Sequence, residues 1–170
     1  MKNPKQPLRF NHCAKGNRTG FTLVELIVVI VILAIISVVV VPNTSNLYKN
    51  ANLKAGSDKI KDDLRYIYEY AISRHDTTWM VVDMANNSYG IYVGSSPTNR
   101  QLLEDPSSNS TGIYDFDTEL SGVIITSVDF GGSNEFFYDW WGTPSSGGTI
   151  VLNNTKIIKV TDQTGYVHED

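Results

Sequence analysis

Cysteine is nearly absent from this 170-residue sequence. The single Cys13 excludes an intramolecular disulfide and any zinc or iron–sulfur site that needs several thiolates. Histidine is scarce as well, at three residues, and no G-x-S-x-G motif accompanies any of them, so nucleophilic catalysis has no foothold. Basic residues number 14 against 18 acidic ones, a formal net charge of -4, and the basic patch or stripe of a general nucleic-acid binder is missing. What is present is an apolar fraction of 41%, enough to build a core.

The averages hide three zones. Residues 1–20 hold Lys2, Lys5, Arg9, Lys15 and Arg18 and no acid, a local charge of +5. Residues 21–41 read FTLVELIVVIVILAIISVVVV, with Glu25 the only ionisable side chain. Residues 42–170 carry nine basic and seventeen acidic residues, a net of -8. As a helix, the apolar run is about 31 Å long, enough to span a bilayer core. The basic flank then stays cytoplasmic and the acidic body is translocated. A buried core helix fits poorly, because residues 26–41 show no polar face. A removable secretory signal would need small residues at -3 and -1, which the run of valines before Pro42 does not supply. No cysteine follows the run, so a lipoprotein-type anchor has no attachment point.

From residue 43 to about 74, Leu53, Ile60, Leu64, Ile67 and Ala71 recur at 7, 4, 3 and 4, the face of an amphipathic helix. Pro42 should kink or interrupt this helix rather than separate two domains. After His75 the pattern changes to strands. Residues 77–84 and 89–93 flank a hairpin turn at Ala85-Asn86-Asn87-Ser88. Further strands are expected at 123–128, 135–140, 149–152 and 157–161, with a long surface loop over 94–112. The expected fold class is α+β. It divides into a basic leader (1–20), a transmembrane half-helix (21–41), an amphipathic half-helix (42–76) and a periplasmic antiparallel β-sheet domain (77–170).

Glu25 is the most informative single residue. A carboxylate four residues into a membrane helix costs about 2.5–3.5 kcal/mol on insertion scales, so it should have a partner. Cutting the chain between Gly20 and Phe21 would create an α-amino group four residues away, on the same chain or on a neighbour. Gly20 suits a cleavage position because it allows close backbone approach.

The basic leader, Gly20 and then Phe21-Thr22-Leu23-Val24-Glu25-Leu26 resemble the cleavage and methylation signature of type IV prepilins and type II secretion pseudopilins. The resemblance implies a pilin-like fold, cleavage after Gly20 by a membrane prepilin peptidase, and N-methylation of Phe21. It also implies that Glu25 pairs with the amine of an adjacent subunit and sets its register in a filament. Pro42 falls where many family members have a helix-kinking proline. Residues 57–73, then 79–83, 136–144, 147–152, 158–160 and 165–167 are similar to the H-type minor pseudopilins and their pilus relatives of the FimT/FimU kind. Trp141 stands where those relatives often have an arginine before the glycine at 142. The absence of cysteine from residues 21–170 sets the chain apart from the many major pilins that close a C-terminal loop with a disulfide. The retained Glu25 sets it apart from the K-type tip pseudopilin.

The implied role is a non-enzymatic minor subunit of a type II secretion pseudopilus, anchored in the inner membrane with its C-terminal domain in the periplasm. Its partners would be other pilin or pseudopilin subunits, the prepilin peptidase, and an inner-membrane assembly platform driven by a cytoplasmic ATPase. No nucleic acid, small-molecule substrate, cofactor or metal is expected. One alternative is a minor pilin priming a type IV or mannose-sensitive-type pilus. Another is a membrane-anchored periplasmic binding or adhesin domain that never polymerises.

The remaining features have plainer readings. His75, before Asp76, suits a helix C-terminus through the dipole. His168 lies in a polar tail, and His12 in the leader. Asp115, Asp117 and Glu119 alternate and could offer oxygens to calcium. Leu120 occupies the loop template's sixth position and no glutamate follows at the twelfth, so a solvated acidic edge is the better reading. In the cluster 136–141, alternation should point Phe136, Tyr138 and Trp140 to one face and Phe137 and Trp141 to the other. Phe137, Trp140 and Trp141 are the candidates for a subunit contact.

Overall fold

A computed structural model describes residues 20–104 and 112–170, with the side chains of residues 38–46 outside the described set. The leader expected at 1–20, including His12 and Cys13, therefore lies outside the described residues except for Gly20. Helix α1 is Leu23–Arg74, and the chain divides into two compact units, Met1–Pro42 and Asn43–Asp170. The unit boundary follows Pro42, where the backbone is helical.

In the second unit the apolar stripe of α1 is the organising element. Ile60, Leu64, Ile67 and Ala71 are fully buried, and Leu53 packs at the edge of the same core. Each of the large ones contributes about 1.5–3 kcal/mol by leaving water. Gly56 lies on the same stripe, where a Cβ would stand 3.1 Å from Phe116 and 3.2 Å from Val123. The helix ends with His75 in the left-handed region (φ 55°), the terminating conformation usual for glycine.

The expected antiparallel β-sheet domain is built from two sheets. The first joins β1 (Thr78–Asp83), β2 (Ser88–Ser96), β3 (Asn99–Leu102), β4 (Ile113–Asp115) and β6 (Glu135–Tyr138), in the order β3-β2-β1-β6 with β4 also on β2. The second runs β5 (Ile125–Asp129), β7 (Gly148–Leu152), β8 (Lys156–Val160) and β9 (Val167–Glu169). Strand β6 leaves the second sheet's sequence to pair with β1, and the turn before it uses Gly131 and Gly132 at positive φ.

The predicted hairpin is present, Asp83 pairing with Ser88. The Asp83 carboxylate accepts from the N–H groups of Ala85 and Asn86 and from the Asn86 amide. These bonds, the Asn86 amide first, hold its pKa below the usual carboxylate value. The long loop expected over 94–112 is corrected at its start: β2 continues to Ser96 and β3 occupies Asn99–Leu102. Arg100 on β3 reaches over the rings of Tyr92 and Trp79 to a two-pronged bond with Glu135 on β6, at 2.9 and 3.0 Å. That clamp ties the two edges of the β3-β2-β1-β6 path across its face.

Asn87, at φ 48°, joins the sheets. Its amide donates to the Val123 carbonyl and to Asp117, and its carbonyl accepts from the Ile125 N–H. Asp63, a buried residue of α1, pairs with Lys59 and accepts from the Tyr89 hydroxyl of β2, as a buried charge requires.

Candidate functional site

At the start of α1, Thr22 and Glu25 cap one another. The Glu25 N–H donates to Thr22 Oγ1 at 3.2 Å, and the Thr22 N–H donates to Glu25 Oε2 at 3.4 Å. This is a capping box, and it satisfies two of the N–H groups that every helix start leaves open. Glu25 thus has a local partner, which the reading of it as an isolated carboxylate missed. The signal was the T-x-x-E spacing ahead of an apolar run. Phe21 precedes the cap and is 85% exposed, and no described residue lies within 4 Å of a Cβ built on Gly20. No described residue covers the Gly20–Phe21 bond, one residue before the box.

Every large apolar side chain from Phe21 through Ile36 is exposed, Ile27 the least at 46%. Ser37, the one polar interruption after Glu25, turns its hydroxyl back onto the Leu33 carbonyl at 2.7 Å, a bond that lets a serine sit in an apolar run. Among the described residues no helix is long and apolar enough to cross a membrane. The apolar run continues into residues 38–41, whose side chains are not described.

The aromatic cluster departs from simple alternation. Phe136 and Tyr138 are fully buried, but β6 ends at Tyr138 and the pattern ends with it. Asp139 then builds a turn, its carboxylate accepting from the N–H groups of Trp141 and Thr143 and its carbonyl from that of Gly142. Both tryptophans leave the fold together, their rings 4.3 Å apart, with Trp140 45% and Trp141 70% exposed. Phe137 is separated from them, half-buried against Trp79 at 4.5 Å. The turn cannot move inward, because Gly142 has φ 82° and its Cβ position lies within 3 Å of Tyr68 and Ile72.

Below that turn is a groove of about 240 Å³ lined by Arg65, Tyr68, Tyr138, Thr164, Gly165, Tyr166 and Val167. The Tyr138 hydroxyl donates to the Gly165 carbonyl at 2.8 Å, and burial pushes its pKa up. Tyr166 stands 66% exposed at the mouth.

Only Asp115 of the acidic segment belongs to a strand. Asp115 ends β4 and caps the short helix α2 (Phe116–Glu119), accepting from the Asp117 N–H, while the Asp117 carboxylate bonds Asn87. No group of three or more His, Cys, Asp or Glu side chains among the described residues is placed to hold a metal ion. His75 packs edge-on to Trp140. His168, expected in a polar tail, lies in β9, stacks on Tyr166 and approaches Asp170 at 3.5 Å.

Next to it, Glu169 anchors the last strand to the helix. It accepts from Lys156, from Ser57 Oγ at 2.6 Å and from Lys61 at 3.2 Å. The Lys156 bond first, then Ser57, lowers its pKa to about 2. Lys61, bonded also to Asp58, has its pKa raised.

Residues 15–41 match the sequence family described as the prokaryotic N-terminal methylation motif, which spans Gly20, Phe21 and Glu25. No curated protein matches the chain by sequence. In fold, the chain is similar to two solved structures of the minor pseudopilin EpsH from the type II secretion system of Vibrio cholerae. One shares 10% identity over 69% of this chain and 94% of EpsH, with a TM-score of 0.55. The other shares 10% identity over 71% and 96%, with a TM-score of 0.56. The likeness establishes the pilin-type α+β fold, a long N-terminal helix followed by antiparallel sheets.

Proposed function

We propose that this chain is a minor pseudopilin, a non-enzymatic subunit of a type II secretion pseudopilus. The observation that carries the reading is the start of α1, where the methylation motif, the Gly20–Phe21 bond and the Thr22–Glu25 cap coincide ahead of a bare apolar helix. In this reading a prepilin peptidase cuts after Gly20 and methylates Phe21. The apolar half-helix holds the chain in the inner membrane with residues 42–170 in the periplasm. Cleavage removes the +5 leader, and the new Phe21 amine lies beside the Glu25 carboxylate. An amine from a neighbouring subunit can then replace the long bond from the Thr22 N–H, because a charged donor makes the stronger hydrogen bond. Pro42, which lacks an N–H, leaves one helical hydrogen bond unmade between the membrane and periplasmic halves, the place of the expected kink in a helix that runs on through it. An assembly platform and its ATPase supply the work of extraction.

The test is mass spectrometry of the native protein's N-terminus. A chain beginning at N-methylated Phe21 is expected; an intact Gly20–Phe21 bond sinks the proposal.

A further inference from the structure

We infer that the groove between α1 and the β8–β9 loop, with the tryptophan turn above it, is the docking site for a different subunit of the same filament. The docked subunit inserts an apolar side chain flanked by a carboxylate. The inference rests on the assembly reading above and adds the surface and the chemistry of the contact.

Three observations converge. The groove, at about 240 Å³, is smaller than the roughly 300–1,000 Å³ of small-molecule sites, and its tyrosine walls suit one apolar side chain. Its only charged lining residue is Arg65. The Arg65 side chain is 61% exposed, and its ion pair with the exposed Asp62 is long, at 3.5 Å, so the guanidinium remains available to an incoming carboxylate. Glu69 is exposed one turn along α1 but does not line the groove.

The third observation is continuity. Tyr68 is both a groove wall and a neighbour of Gly142, so the groove runs directly into the Trp140–Trp141 turn. Asp139 and the positive φ of Gly142 hold those rings out in water. Exposed Trp, Tyr and Arg in one patch is the composition of an interface hot spot, and the fold itself leaves it uncovered. In the assembly reading above, the chains that come to this face are the filament's other subunits, and the apolar groove beside Arg65 sets the chemistry of the one that docks.

The test places the photo-crosslinking amino acid p-benzoylphenylalanine at Tyr166 of the full chain, in native cells that make the whole secretion system. Crosslinked material is identified by mass spectrometry. The expected product joins this chain to another chain that carries the same N-terminal methylation motif. Arg65→Glu and Trp141→Ala should each lower its yield about tenfold, while Arg65→Lys retains most of it. Both substituted side chains are exposed, so the thermal melt should be unchanged. A product with a second copy, a lipid or an exported protein overturns the inference, as does no product, or a yield indifferent to Arg65→Glu. The N-terminus of the same material separates the two levels. Methylated Phe21 without the crosslink removes the docking site and leaves the assembly reading; an uncut chain removes both.

Discussion

At Glu25 the oxygen that accepts from Thr22 lies 3.4 Å from the backbone nitrogen, a long bond that an ammonium group can displace. Glu25→Ala should therefore leave cleavage at Gly20 intact while lowering incorporation into filaments about tenfold or more, the worth of one charged hydrogen bond. Quantifying the subunit in sheared pseudopili against its total in the membrane measures this. Glu169 is the opposite case, a carboxylate held by three donors with its pKa near 2 against an ordinary 4.5. Since the folded value is the lower one, its stabilisation is complete above pH 4.5 and is lost as pH falls toward 2. Glu169→Gln should cost about 1–3 kcal/mol at neutral pH, and the gap from the parent should close between pH 4.5 and 2. Urea melts across that range test it.

At the scale of elements, the stripe Ile60, Leu64, Ile67 and Ala71 carries the attachment of helix to sheets. Leu64→Ala should lower stability by about 2–5 kcal/mol, through lost transfer energy and the cavity left behind; chemical denaturation measures it. This stripe was legible because a buried helix face imposes its own spacing. The strands with alternating or β-branched residues, such as β1 and β7, were legible for the same reason. The short edges were not. β3 reads Asn-Arg-Gln-Leu, whose one charged side chain is used in the cross-sheet clamp to Glu135, and β9 has three residues. The tryptophan turn escaped because alternation assumes a strand, and Asp139 ends it. At the helix start the membrane cost of Glu25 drew attention, while Thr22, which satisfies it locally, went unread. The Gly20–Phe21–Glu25 order, to which the proposal assigns cleavage and pairing, stands out in the sequence because these residues are near neighbours and need no fold to bring them together.

For the whole molecule, the second unit has a core of its own, with buried side chains contributed from Ile60 to Val167. Residues 43–170 expressed alone should be soluble and melt in one cooperative transition. A broad melt without a heat-absorption peak in calorimetry would count against independent folding. The Glu169 anchor also governs the order in which that unit can form during synthesis. Ser57 and Glu169 are separated by 112 residues, so the helix emerges long before the strand that locks onto it. Until the strands follow, the growing chain leaves Ile60, Leu64 and Ile67 of the helix uncovered. This contact must wait for Glu169 to follow. A chain without β9 therefore keeps the apolar stripe but not the latch, and its helix should open to proteases more readily than in the whole unit.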